Sequence, residues 1–450
     1  MKNNQHISTQ MTQMTQIIAD FSNYLRKSVK SASSACHKTV ISYQFGVPEQ
    51  MKKANIYLVI LLLLSGCGGN KPSGNDDLIT VDITKSYPKK DLVLQDFMDV
   101  EYIALETGDE FYCQGIVLDI GKDYLLVKNQ INDGDIFVFD RNGKSLRKIN
   151  RLGRGAEEYS NILGINLDEE NSELFVNDGS SRLIVYDLFG NYKRSLRYNE
   201  GSNYRNVSNL DRERLICREG SFEYEQGTVE MPPFFIISKQ NGSIINDIQI
   251  PYEQKKSTRT MLINGERVSV MPTDATSIRS IDVLNINFYP IIPYQDSWIL
   301  MEPSSDTIFK FLPDYSMTPL MVRTPSIQTM TPEVFLFPGV LTDRYYFMQT
   351  AKKEQDLASR QGFPSTDLVY DRQEKEIYEY TIYNDDYSRK QPLSMFQRAV
   401  NNDVAFWHKI EADELVEDFK KGVLKGKLRE IAATLKEESN PVIMLVKHKK

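Results

Sequence analysis

Apolar and polar residues alternate in short bursts along most of this chain, and a turn signal closes each burst. The clearest case is Asp135-Ile136-Phe137-Val138-Phe139-Asp140, then Arg141-Asn142-Gly143, then Lys144-Ser145-Leu146-Arg147-Lys148-Ile149. A period of two predicts half-buried strands. The Asn-Gly step supplies the positive φ that a tight hairpin needs. The same pattern returns over 182–196, where Asp187 stands 47 residues after Asp140, and weaker copies lie at 234–245, 306–315 and 367–378. A repeat of roughly 45 to 60 residues, each unit ending in a hairpin, predicts the blades of a β-propeller. A single four-stranded blade cannot bury both of its faces, so neighbours must stack and the ring must close.

Five blades are read at 113–150, 162–198, 207–250, 285–323 and 340–383. A sixth is expected to be shared by the two ends of the domain, with Val100–Leu105 pairing with Pro441–Val446 and so removing the free edges. Between them, Leu415, Val416, Phe419, Val423, Leu424, Leu428, Ile431 and Leu435 recur at three- and four-residue steps, predicting one helix over 412–438 that Asn440-Pro441 ends. The polar stretch 252–284 reads as an insertion over one face. The expected fold is all-β: a six-bladed β-propeller over 79–450, closed by its N- and C-terminal strands, with one C-terminal helix.

A different pattern precedes the strands. Met51-Lys52-Lys53 leads into an apolar run from Ile56 to Leu64, and Ser65-Gly66-Cys67 follows. Charged start, apolar core and small-residue exit are the three parts of a secretory signal. The core, about nine residues, is far shorter than the roughly 20 of a spanning helix. Leu64-Ser65-Gly66-Cys67 resembles the lipobox of bacterial lipoproteins. That resemblance implies cleavage before Cys67, a diacylglycerol on its thiol and an acylated new amine. More than one acyl chain gives stable membrane attachment. The organisation expected is an upstream extension from a mis-assigned start over 1–50, the signal peptide over 51–66, a flexible tether over 67–78, and then the propeller.

Charge and composition narrow the partners. The first 66 residues hold seven Lys/Arg against two Asp/Glu, so residues 67–450 carry −12 where the whole chain carries −7. An acidic surface argues against nucleic acid, whose phosphates need Lys and Arg. Of four cysteines, Cys113 and Cys217 fall in strand-like runs inside the propeller, and separate buried thiols are expected over a disulfide. Within 67–450 the only histidines are His408 and His448, which leaves the blades without the ligands of a histidine-rich metal site or the base of a Ser-His-Asp triad. Neither metal nor cofactor is expected.

The order of these motifs carries a family resemblance. A lipobox, an opening strand Val100-Glu101-Tyr102-Ile103-Ala104-Leu105-Glu106-Thr107, blade hairpins, Asp306-Thr307-Ile308-Phe309 in the fourth blade and a closing Glu438-Ser439-Asn440-Pro441-Val442 resemble the six-bladed β-propeller lipoproteins of anaerobic Gram-negative envelopes. That family is distantly similar to NHL-type propellers. The resemblance implies a fold and a location, the outer membrane facing periplasm or exterior, but no reaction.

Gly153-Arg154-Gly155-Ala156-Glu157-Glu158-Tyr159 has Ala156 and Glu157 where the family's loop has Pro and Gly. It lacks the third glycine and the helix of a dinucleotide loop. Its first reading is a tight turn between blades, with Glu158 on backbone amides and Tyr159 packed. Its second reading is a ligand site at the channel mouth, where Arg151, Arg154, Glu158, Tyr159 and Arg182 could take an anionic or sugar-like ligand. Asn132-Asp133-Gly134-Asp135 and Asp168-Glu169-Glu170-Asn171 have oxygen donors for calcium but read first as hairpin turns. Trp298 and Trp407 could stack on a sugar, although Trp298 is expected inside a strand. No Gly-x-Ser-x-Gly elbow or zinc-protease helix is present. The function expected is a lipid-anchored, non-enzymatic platform for a protein or glycan ligand. The alternatives are a hydrolase or lyase acting on glycan or peptide at the axial channel, and an accessory or sensor component of a nutrient-uptake complex.

Overall fold

The computed structural model describes residues 78–198, 204–220, 233–264, 266–268, 279–354 and 362–449. The upstream extension, the signal peptide, Cys67 and the tether before residue 78 lie outside the described residues.

The chain folds into four-stranded antiparallel sheets laid down one after another. The first is built from Ile116–Ile120, Tyr124–Lys128, Asp135–Asp140 and Ser145–Asn150, and the second from Gly164–Asp168, Glu173–Asn177, Arg182–Asp187 and Tyr192–Arg197. The third runs through Tyr204–Asn209, Arg214–Glu219, Phe234–Ser238 and Ile244–Ile248. Ile291–Tyr294, Ser297–Leu300, Thr307–Phe311 and Met317–Thr324 form the fourth, and Val334–Leu341, Tyr345–Lys352, Ser365–Asp371 and Glu376–Tyr383 the fifth. A terminal sheet joins Val404–Ile410 to Val442–His448 and that strand to Met98–Ala104, with Ile443 opposite Ile103. This is the propeller arrangement of sheets that the hairpin repeat predicts.

The repeat has one chemical cause. In the first sheet the Asp140 carboxylate accepts the amides of Asn142 (2.8 Å) and Lys144 (2.9 Å), and Gly143 takes φ +83°. In the second, Asp187 accepts Phe189 (2.8 Å) and Asn191 (2.9 Å), and Gly190 takes φ +84°. Asp at the start and Gly in the left-handed position therefore satisfy the turn backbone within the hairpin.

Alternation along the middle strands feeds two seams at once. Leu125 and Val127 pack with Phe137, Phe139, Ile443 and Leu445, between the terminal and first sheets. Leu126, Ile136 and Val138 face the other way, onto Ile165, Leu174 and Ile184 of the second sheet. Further clusters lie between the second and third sheets, the third and fourth, the fourth and fifth, and the fifth and terminal sheets. Burying each such Val, Leu, Ile or Phe contributes about 1.5–3 kcal/mol, so both faces of a middle strand are committed. The first strands also approach one another: Val404–Ile410 lies near Ile116–Ile120, which neighbours Gly164–Asp168, which neighbours Tyr204–Asn209. Cys113 and Cys217 are separate buried thiols, and burial pushes Cys113 up to about 11.

Three features depart from the sequence reading. The single helix expected over 412–438 is two, Ala412–Lys420 and Gly426–Ala432. Gly422 (φ +68°) breaks the helical path, and Leu424 forms an isolated bridge to Tyr387. Leu415, Leu424 and Leu428 still reach the same apolar cluster, so the periodicity survives a bend that the residue spacing conceals. Two short segments before the opening strand, Ile79–Asp82 and Lys89–Val93, add in parallel to the fourth and fifth sheets. Lys90 pins the second of these through Asp371 at 2.8 Å. The polar stretch read as an insertion holds a small antiparallel sheet of Arg259–Ile263, Glu266–Val268 and Ile281–Asn285.

Candidate functional site

The innermost strands carry polar side chains between their apolar ones. In Gly164-Ile165-Asn166-Leu167-Asp168, Ile165 and Leu167 enter a seam, while Asn166 looks elsewhere. These polar groups tie successive strands together. Asn401 donates to the Ile120 carbonyl (2.9 Å), Asp119 accepts the Leu167 amide (2.7 Å), Asn166 donates to the Val207 carbonyl (2.7 Å), and Asn209 donates to the Leu167 carbonyl (2.8 Å).

Two cavities open over these strands. The first, about 530 Å³, is lined by the early halves of two of them, Gly164–Asn166 and Arg205–Val207, and by Lys256–Arg259 from the inserted segment. Its cations are Arg205, Arg218, Lys256, Arg259 and Arg398, and among its described lining residues there is no Asp or Glu. Asn166, Asn177, Asn206, Asn285 and Asn287 add amides, and Phe288 and Tyr289 add rings. Arg218 is held in place from behind. Its guanidinium lies 5.0 Å from the Phe288 ring centroid and 3.6 Å from the buried Glu302. Burial opposes the charge on Glu302, but Arg218 and Lys255 (3.1 Å) outweigh it and hold the carboxyl below its ordinary range.

The second cavity, about 1020 Å³, takes the later halves of the same strands, Asn166–Asp168 and Ser208–Asn209, together with Val117–Ile120. Asn166 and Arg398 line both cavities. Its charges are mostly paired. Lys239 meets Asp168 at 2.6 Å with both buried, and Lys447 lies 3.4 Å from Glu101 and 3.7 Å from Asp403. Burial pushes the Asp119 carboxyl up to about 6, while the Leu167 amide, the Arg398 charge and the Ile120 amide act in the other direction.

The residues singled out in the sequence form a cluster of their own. Glu158 accepts the Gly155 amide (2.7 Å). The Tyr159 hydroxyl donates to the Gly134 carbonyl (2.6 Å) and accepts the Arg151 amide (2.9 Å), and its ring is fully buried. Arg182 donates to the carbonyls of Ala156 and Glu158, and Arg151 to that of Gly190 (2.7 Å). Arg154 stays exposed. A Cβ on Gly153 would sit 1.9 Å from the Glu158 carboxylate, so the glycine permits the closure. None of these five residues lines either cavity. Among the acidic turns, Glu169 accepts the amides of Lys122 (2.6 Å), Asp123 (2.9 Å) and Tyr124 (3.0 Å), bracing the neighbouring sheet. The cavity cations were missed by sequence reading because they come from separate sheets with no fixed spacing. The one local signal was polar residues at inward positions of first strands.

An exported-type protein of Bacteroides fragilis, so described, is 14% identical, with 83% of this chain and 100% of that chain covered and a TM-score of 0.54. A member of the DUF4221 family from Bacteroides vulgatus is 9% identical over 79% of this chain and 100% of that one, with a TM-score of 0.41. BamB from Moraxella catarrhalis is 9% identical over 78% and 99%, with a TM-score of 0.36. No curated protein matches the chain. Residues 78–447, the whole run of sheets, match the profile described as domain of unknown function DUF4934, and the chain belongs to that family.

Proposed function

We propose that this protein is a lipid-anchored, six-bladed β-propeller of the cell envelope that binds an anionic ligand without transforming it. The ligand sits in the smaller cavity. One observation carries the reading: five cationic side chains converge there with no carboxylate among the described lining residues. Guanidinium groups pair bidentately with carboxylate, sulfate or phosphate oxygens, and the surrounding asparagines suit the hydroxyls of an acidic sugar. The Arg151–Tyr159 loop serves as a brace in this reading, since Arg151, Glu158 and Tyr159 bond to backbone groups of the loop and of neighbouring turns. A closed ring is supported by the apolar clusters between consecutive sheets and by a terminal sheet drawn from both ends of the domain. The envelope address rests on the signal and the lipobox at Cys67.

Calorimetry on the full-length protein in detergent tests the binding. A uronic disaccharide or sulfate is expected to bind with an affinity that falls as salt rises, and the uncharged parent sugar is expected to bind far more weakly. Equal affinity for charged and uncharged sugars would remove the basis of the assignment. Mass spectrometry of the native product tests the anchor: an acylated Cys67 as first residue is expected, and an intact leader refutes it. A hydrolase or lyase reading ranks second. It rests on Asp119, pushed up to about 6 beside the larger cavity, but both of its oxygens accept backbone amides, from Leu167 and Ile120.

A further inference from the structure

The chain has two tryptophans, 109 positions apart in the sequence, and both line the larger cavity. Each is half-buried. Trp298 packs one side against the cluster of Ile216, Phe234 and Phe311. Trp407 packs against that of Ile103, Phe137 and Leu445. Core packing on one side and cavity on the other makes each ring a fixed platform whose orientation is set before any ligand arrives.

The polar lining differs in kind from that of the smaller cavity. Among the described lining residues seven carboxylates stand against six cations, so the charges nearly balance and no positive surplus attracts an anion. The Asn209 side chain donates to the Leu167 carbonyl, but its Oδ1 is buried, beside the cavity, without a hydrogen-bond partner. A buried acceptor without a donor is unfavourable, and a small rotation of the Asn209 amide toward the cavity would let a hydroxyl there supply one.

We infer that the larger cavity is a second binding site, for a neutral oligosaccharide, distinct from the anion site. Sugar rings present an apolar C–H face for the indoles and a rim of hydroxyls for Asn209 and the balanced charges. The volume of about 1020 Å³ suits more than one ring.

Because both tryptophans line this cavity, intrinsic fluorescence reads it selectively. Full-length protein in detergent is titrated with maltotetraose, cellotetraose, xylotetraose and chitotetraose, with acrylamide quenching measured in parallel. At least one is expected to give a saturable spectral shift and to protect the indoles from quencher. Trp298→Phe and Trp407→Phe preserve the apolar filling, and each is expected to weaken that sugar about fivefold while leaving sulfate binding within about twofold. The wild-type titration stands alone if a variant fails to fold. No saturable change up to about 10 mM overturns the inference. So does unaltered sugar affinity in both folded variants, or saturation by a planar aromatic acid but by none of the sugars.

Discussion

The two cavities share Asn166 and Arg398 and are walled by opposite halves of the same strands, yet their chemistry diverges. The early halves present Arg205 and Asn206 and meet the inserted Lys256–Arg259 segment. The later halves present Asp168, Asn209 and Asp119. In one cavity the lining cation Arg218 is balanced by Glu302 and Lys256 by Glu333, neither of which lines it; the other keeps acids and bases together in its own lining. A strand only a few residues long can therefore present two different chemistries. Its alternate residues already serve the seams, and the remaining inward positions are divided by their place along the strand.

The largest test of this contrast is Lys239→Ala. It strands the buried Asp168 carboxylate and should cost about 3–5 kcal/mol in chemical denaturation. Anion binding in the smaller cavity should be unchanged in the folded fraction, and a parallel loss of anion affinity would merge the two sites. Next comes Arg398→Ala, which removes a cation from the shared wall. Anion affinity should fall about tenfold in calorimetry, with stability altered by no more than about 0.5 kcal/mol because the side chain is exposed. An unchanged affinity would place the anion elsewhere. The smallest effect concerns Asp119. Its folded carboxyl keeps a proton up to about pH 6, whereas the ordinary value is 3.8. The folded state thus binds more protons than the unfolded one between those values, and this group's contribution to stability declines as pH rises through that window. Carbon-detected NMR titration should find it near 6 and find it higher still in Arg398→Ala, since that charge favours the ionised form.

Much of the sheet layout was legible along the chain. Asp140-Arg141-Asn142-Gly143 and Asp187-Leu188-Phe189-Gly190 announce hairpins because each satisfies its own backbone locally. The pairing of Val100–Leu105 with the last strand was also legible, because joining the first and last strands removes free edges. Less visible were the parallel additions of Ile79–Asp82 and Lys89–Val93. Their partners, Met317–Thr324 and Glu376–Tyr383, lie more than 200 residues away, and no turn joins them. The helix break at Gly422 was hidden because an apolar period of three to four continues through it. The glycine-rich loop drew attention for its composition, but Glu158 closes it on its own Gly155 amide and Arg182 of the next sheet holds its Ala156 carbonyl. The residues that line the cavities carried no motif at all.

By itself, then, the sequence determined what depends on near neighbours and on composition: strand alternation, the Asp–Gly turns, and an acidic, histidine-poor chain. Only the tertiary structure decided which inward-facing side chains meet. Arg205, Arg218, Lys256, Arg259 and Arg398 come together because separate sheets converge on one place. Trp298 and Trp407 line one cavity for the same reason. Turn chemistry acts over a few residues and is written in order along the chain, whereas convergence follows from packing every apolar face at once and leaves no spacing to read.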